Sequence, residues 1–255
     1  MTGQGAGTVL GHNFSMNMDR MDSFIESLDR PLPAYLEELA DAARSAEVPI
    51  IRPAQMNFMR TLLTLHKPMT ILEIGTAVGF SAIYMREFSP AETRITTIEN
   101  YPPRIEEARK NLAEYDPDGR ITLIEGDAVE IVREMAGARD ASGDMVRADG
   151  AAETAKDAAG AAGSAFDMIF MDGPKGQYVH MYEDVKKLLK PGGILLSDNV
   201  LQEGVVLESR YAVTRRDRTI HARMREYLYR LTHDDDYDTT ILPIADGTAL
   251  SVKRK

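Results

Sequence analysis

At 255 residues, 44% hydrophobic and 27% charged, the chain is sized for one large α/β domain or a domain with appendages. A formal net charge of −10 argues against general binding to nucleic acid through phosphate neutralisation, although a local basic patch still acts within a Debye length of about 8–10 Å. The lack of cysteine excludes disulfides, thiolate zinc sites and cysteine nucleophiles, and no apolar run approaches the roughly 18 residues of a membrane span.

Residues 1–18 are rich in Gly, Thr and Asn and read as a disordered tail, with Met16, Met18 and Met21 as alternative starts. They carry neither a basic leader nor a long apolar stretch, so no secretory signal is expected, and the absence of cysteine fits a cytoplasmic protein. From Asp19 to about Leu65 the period is helical: Ile25, Leu28, Leu36, Leu39 and Ala43, then Met56, Met59, Leu62 and Leu63. Pro31, Pro33, Pro49 and Pro53 divide this region into short helices.

From Thr70 strands and helices alternate. Strands are expected at Thr70–Ile74, Arg94–Glu99, Ile121–Ile124, up to Asp172, and from Gly193 to Asp198. Helices are expected near Phe80–Phe88, Arg104–Glu114, Val129–Met135 and Val179–Leu189, the last stopped by Lys190-Pro-Gly-Gly. A long amphipathic helix follows near Thr219–Leu231, then strands near Thr239–Leu242 and Ala249–Lys253 joined by Ala245-Asp-Gly247. This order predicts a Rossmann-like, doubly wound α/β fold: a mostly parallel seven-stranded sheet with an antiparallel C-terminal hairpin. Residues 19–255 then form a single domain. Ala136–Ala165, dominated by Ala, Gly and Asp, breaks the rhythm and reads as a low-complexity surface insertion with a loose helix around Ala151–Ala159.

Three consecutive strand ends carry ligand-like residues. Glu73-Ile-Gly75-Thr76-Ala-Val-Gly79 lacks the Gly-x-Gly-x-x-Gly spacing of a pyrophosphate cradle, and alone it fits a ligand loop or a tight turn equally. Glu99 ends the second strand about 25 residues later, where an acid accepts hydrogen bonds from ribose hydroxyls. Glu125-Gly126-Asp127-Ala128 ends the third, with Asp127 suited to an adenine amino group and Ala128 to its ring. Each acid alone fits a helix N-cap or a solvated loop. Together they suggest a ribosyl-adenine ligand without pyrophosphate, S-adenosylmethionine.

Two further apolar strands stop at oxygen ligands, Asp172 and the pair Asp198-Asn199. Carboxylate and amide oxygens without a neighbouring His or Cys favour Mg²⁺ over Zn²⁺, with Mn²⁺ or Ca²⁺ as substitutes. The bland alternative is that these residues only cap the segments that follow them.

The ordered set Glu73-Ile-Gly-Thr76, Glu99, Gly126-Asp-Ala128, Met171-Asp-Gly-Pro-Lys-Gly-Gln-Tyr178 and Leu196-Ser-Asp-Asn199 resembles the cation-dependent O-methyltransferases related to catechol O-methyltransferase. The resemblance implies adenosylmethionine contacts at Ile51, Glu73, Gly75, Thr76, Ser81, Glu99, Asp127, Ala128 and Asp172. It implies metal ligation by Asp172, Asp198 and Asn199, and makes Lys175 the general base or an electrostatic partner of the acceptor anion. It also implies that the helices of 19–65 cap the active-site mouth or build a homodimer interface.

A metal with two open positions suits an acceptor with two adjacent oxygens, which both catechols and 5-hydroxyuridine offer. Leu207 to Leu231 holds seven Arg against three acids, a local charge of about +4. Arg215, Arg216 and Arg218 follow the fifth strand, where guanidinium groups would hold phosphates flanking an extruded nucleotide, or else form a solvated face. Gly204-Val-Val, the Arg-rich loop, Arg-Met-Arg-Glu-Tyr227 and Thr240-Ile-Leu-Pro-Ile-Ala-Asp-Gly-Thr-Ala-Leu-Ser251 are similar to bacterial tRNA 5-hydroxyuridine methyltransferases, which implies the tRNA anticodon region as partner. A small catechol-like substrate is the alternative. His12, His66, His180, His221 and His233 share no ligand-like spacing, and His180 and His221 read as partly exposed helix residues.

Overall fold

The computed structural model describes residues 18–137 and 166–254. The expected tail before residue 18, and all of the expected insertion beyond Gly137, lie outside the described residues. Contacts divide the chain at Pro31 and Leu32. The first unit contributes one described helix, α1 (Met18–Glu26).

In the second unit, two helices precede the sheet. In α2 (Ala34–Ser45), Leu36, Leu39, Ala40 and Ala43 form one buried stripe at helical spacing. Pro53 opens α3 (Pro53–His66) at a position where its missing N–H costs nothing, and Lys67 closes it in a left-handed conformation.

The sheet then forms in alternation: β1 (Thr70–Ile74), α4 (Phe80–Phe88), β2 (Arg94–Glu99), α5 (Pro102–Tyr115), β3 (Ile121–Glu125), α6 (Ala128–Gly137), β4 (Phe166–Met171), α7 (Tyr178–Leu188) and β5 (Leu189–Ser197). The long helix α8 (Arg218–His233) and the strands β6 (Tyr237–Leu242) and β7 (Thr248–Lys253) complete it. Spatial order is β3-β2-β1-β4-β5-β7-β6, parallel through β5, with β7 antiparallel to both β5 and β6. The predicted doubly wound fold, with its C-terminal hairpin, is what forms.

Strand alternation divides the core into two layers. Ile71, Met168, Phe170, Ile194 and Leu196 pack on the side of α2, α3 and α4. Leu72, Ile74, Ile169, Met171 and Leu195 pack on the side of α6, α7 and α8. Chain order reverses between β1 and β4, so the crevice at their C-terminal ends is the topological switch point where such sheets bind ligands.

Three expectations need correction. The helix α6 continues through Ala136 to Gly137, because Ala136 is buried against the core, so two residues assigned to the insertion belong to the fold. The strand β5 begins at Leu189 rather than Gly193. A bulge between Phe166 and Met168 lets Leu189 pair with Phe166, and Pro191 and the two glycines sit in the irregular stretch where a ladder tolerates them. His221 is buried rather than partly exposed, as described below. No helix among the described residues is long and apolar enough to cross a membrane.

Candidate active site

A cavity of ≈ 450 Å³ opens at the switch point, within the range of small-molecule sites. Eleven of the sequence-predicted residues line it: Ile51, Gly75, Thr76, Ser81, Glu99, Asp127, Ala128, Asp172, Lys175, Asp198 and Asn199. Glu73 lies behind its wall, fully buried. Arg215, Arg216 and Arg218 do not line it.

Gly75 has no freedom to be anything else. Its φ is +104°, and a Cβ there would stand 2.7 Å from the carbonyl oxygen of Asp172. The loop after β1 is thereby pressed against the end of β4, which brings Gly75 and Thr76 beside Asp172.

The acids differ in what already occupies them. Glu99 accepts from the backbone N–H groups of Ala77 (2.8 Å), Asn100 (2.9 Å) and Tyr101 (3.0 Å), so it organises the β1 loop as well as bordering the cavity. Asp127 Oδ1 accepts from the N–H of Val129 at 2.9 Å and caps α6; the N-cap reading and the cavity reading hold together. Glu73 Oε2 accepts from Thr97 Oγ1 at 2.5 Å, and Thr97 meets Thr76 Oγ1 at 2.5 Å. The sequence reading did not single out Thr97. Glu73 Oε1 has no partner in hydrogen-bond geometry, although the Ser81 hydroxyl is close enough to favour the anion in part. Burial dominates and pushes the Glu73 carboxyl up to about 8.

On the opposite wall Asp172 and Asp198 follow directly on β4 and β5. Asp198 is nearly inaccessible, and burial, then the charge of Asp172, pushes its carboxyl up to about 6. Asn199 holds a left-handed φ of 52°, a conformation that Asn tolerates better than most residues, and its N–H donates to Asp198 Oδ1 at 2.7 Å. Lys175 Nζ donates to Asp172 Oδ1 at 2.8 Å and to the Tyr178 hydroxyl at 3.1 Å. Tyr178, unassigned from sequence, donates in turn to the Met171 carbonyl at 2.7 Å. Burial, with the charge of Asp172, pushes its hydroxyl well above the ordinary value, so it stays neutral.

A second cavity of ≈ 420 Å³ shares Lys175 and Asn199 and adds Gln202, Glu203, Val205, Asp217, Ile220 and Asp246. Lys175 and Asn199 therefore sit between two spaces.

A family profile described as O-methyltransferase matches residues 26–156 and 145–254. The chain belongs to that O-methyltransferase family. Among curated relatives, it is similar to the catechol O-methyltransferase of Niastella koreensis, 28% identical over 74% of this chain and 76% of the relative. It is also similar to the catechol O-methyltransferase of Mycobacterium tuberculosis, 27% identical over 78% and 79%. The solved structure of SAH-bound Podospora anserina methyltransferase PaMTH1 shares the fold at a TM-score of 0.73, 23% identity, and 98% and 100% coverage.

In this O-methyltransferase the donor chemistry suits both predicted guests. Glycine-walled space, the Glu99 and Asp127 carboxylates and the orphaned Glu73 oxygen fit a cationic, ribose-bearing cofactor. Two crowded carboxylates and an amide fit a hard divalent cation. Among the described residues no group of three or more His, Asp or Glu has metal-holding geometry; the third donor here is an amide oxygen.

The buried His221 has a structural role. Its Nε2 meets the Glu208 carbonyl at 3.0 Å, fixing the segment that follows β5. Helical spacing alone did not reveal that α8 turns this position inward.

Proposed function

We propose that this O-methyltransferase uses S-adenosylmethionine and a divalent cation, Mg²⁺ by preference, to methylate one oxygen of a vicinal pair, and that its acceptor is 5-hydroxyuridine at the tRNA wobble position, giving 5-methoxyuridine. The observation that carries the reaction class is the convergence of Asp172, Lys175, Asp198 and Asn199 on the rim of the cavity lined by Gly75, Glu99 and Asp127.

Asp172, Asp198 and Asn199 would hold the cation, which when bound supplies charge that lowers the cost of ionising an acceptor hydroxyl. Thr76, Ser81, Glu99, Asp127 and Ala128 would hold the cofactor, whose sulfonium supplies the methyl group. Two N–H directions of Lys175 are engaged by Asp172 and Tyr178, leaving one for the acceptor oxygen. Lys175 thus either stabilises the developing oxyanion or, once deprotonated, takes the proton. Neutral Tyr178 serves neither as base nor as anion; it orients Lys175. Holding the two reactants in line contributes up to roughly 7–11 kcal/mol of the barrier reduction.

The tRNA reading is supported by Arg215 and Arg216, which are exposed, carry no ion pair among the described residues, and precede the cavity-lining Asp217. A small catechol acceptor is favoured instead by the names of the curated relatives. Labelled adenosylmethionine, Mg²⁺ and tRNA bearing 5-hydroxyuridine, run beside a catechol panel, separate the two. Methyl transfer confined to the catechols overturns the tRNA acceptor; transfer to neither overturns both acceptor readings.

A further inference from the structure

The segment from Val205 to Asp217 leaves the second cavity and returns to it, since both end residues line it beside Lys175. It is anchored from beneath. Val206 and Val213 are buried, the buried His221 meets the Glu208 carbonyl, and Arg218 Nε donates to the Val213 carbonyl at 3.2 Å.

Two tight turns shape its outer side. The Ala212 N–H donates to the Ser209 carbonyl at 2.9 Å, which sets Arg210 and Tyr211 at the corners of the first. The Asp217 N–H donates to the Thr214 carbonyl at 3.1 Å, and the Thr214 hydroxyl donates to Asp217 Oδ2 at 2.6 Å. That sets Arg215 and Arg216 at the corners of the second.

Tyr211 is 93% exposed, and Leu207 nearby is 71% exposed. A lone exposed tyrosine is ordinary on a protein surface. This one differs by its company. Of the seven arginines in Leu207–Leu231, Arg223 and Arg225 bond the carbonyls of Gly176 and Val206, and Arg230 pairs with Glu226. Arg210, Arg215 and Arg216 make no such bond among the described residues, and all three occupy turn corners with Tyr211. Tyr211 lies six positions from each end residue that lines the second cavity, so it stands within about 20 Å of that cavity by chain reach. An aromatic face offered between unpaired guanidinium groups is the composition that holds single-stranded nucleotides, by stacking and by phosphate contact.

We propose that Tyr211 stacks on a nucleobase flanking the acceptor uridine, while Arg210, Arg215 and Arg216 hold the phosphates on either side of it. This rests on the tRNA reading of the acceptor. Stacking tolerates any base, so it secures the loop of the RNA without reading its sequence.

The chain has no tryptophan, which supplies the test. Tyr211→Trp introduces the sole indole into the full-length protein; its fluorescence is expected to be quenched on titration with 5-hydroxyuridine tRNA, with KM near that of the parent. Tyr211→Ala is expected to raise KM for that tRNA roughly ten- to hundredfold, the range seen when a base-stacking aromatic is truncated, with kcat and unfolding midpoint unchanged. A parent-like KM in Tyr211→Ala, or an indole unmoved by a tRNA that is nonetheless methylated, overturns the stacking role alone. Failure of the parent chain to methylate the tRNA removes the acceptor reading and the stacking role together.

Discussion

Lys175 Nζ lies 2.8 Å from Asp172 Oδ1, so the proposed proton-handling group and the carboxylate proposed to hold the cation are in direct contact. The pairing explains why a loop lysine is fixed rather than free, since Tyr178 holds the same nitrogen from the other side. Replacing Lys175 with Ala should therefore lower kcat by about 10²- to 10⁴-fold, the usual contribution of a positioned acid–base group. Adenosylmethionine affinity, measured calorimetrically, should change little. A Lys175→Ala enzyme with near-parent kcat would remove the residue from the chemistry.

Asp198 tests the cation. It is buried beside Asp172, and removing one of the two proposed donor carboxylates should abolish turnover while the Glu99 and Asp127 wall, proposed to hold the cofactor, stays intact. Asp198→Ala should bind adenosylmethionine with parent affinity but show no stimulation by Mg²⁺. Full activity of the variant with chelator present would exclude the metal role.

Most of the fold was legible from the chain because its signals are local. Apolar runs such as Ile169–Met171 and Leu195–Leu196 lie in strands buried on both faces, and each is closed by a turn or helix signal nearby. The strand-end residues were legible for the same reason, since a parallel sheet brings its C-terminal ends to one edge whatever its exact register. What escaped was tertiary. Thr97 sits mid-strand with no motif around it, and only the pairing of β1 with β2 brings it to Glu73. Tyr178 read as the end of a motif, and its bonds to Lys175 and Met171 depend on how α7 enters. His221 looked like one polar residue on an amphipathic helix, because the segment that covers it lies far from any periodic pattern.

Gly75 should tolerate no side chain. In Gly75→Ala the new Cβ meets the Asp172 carbonyl at 2.7 Å while φ stays at +104°, a region that L residues rarely adopt. The clash is with backbone, so relief requires the end of β4 to move. A stability loss of about 1–3 kcal/mol by denaturant titration is expected, with weakened cofactor binding. Parent-like stability would mean that the loop and β4 are less tightly joined than these distances require.

Glu73 gives a pH signature in the ligand-free protein. Its carboxyl is raised from an ordinary 4.5 to about 8 by burial, so the folded state holds its proton more tightly than the unfolded chain. The sign follows directly: the stability it contributes is fully present below about pH 4.5 and is lost as pH rises through 8. Glu73→Gln, which cannot ionise, should lack this decline. The difference in unfolding free energy between parent and variant, followed from pH 5 to pH 9, should shift towards the variant by a few kcal/mol. A constant difference across that range would mean that Glu73 is already ionised when folded.

Salt dependence separates the two acceptor classes at the arginine turns. Arg215 and Arg216 are exposed and unpaired among the described residues, so neither supports the fold through an ion pair. If they hold phosphates, each contact releases counterions, and the slope of log affinity against log salt should fall by about 0.7 for each one removed on single-stranded RNA. Arg215→Ala combined with Arg216→Ala should therefore weaken tRNA binding most at low salt, and the curves of parent and variant should converge as salt rises. Turnover of a neutral catechol, where measurable, should be untouched, because the cavity beside Lys175 keeps its lining. Equal slopes for parent and double variant would show that phosphates lie elsewhere, and would turn attention to Arg223 and Arg225, whose present bonds to carbonyls RNA would have to displace.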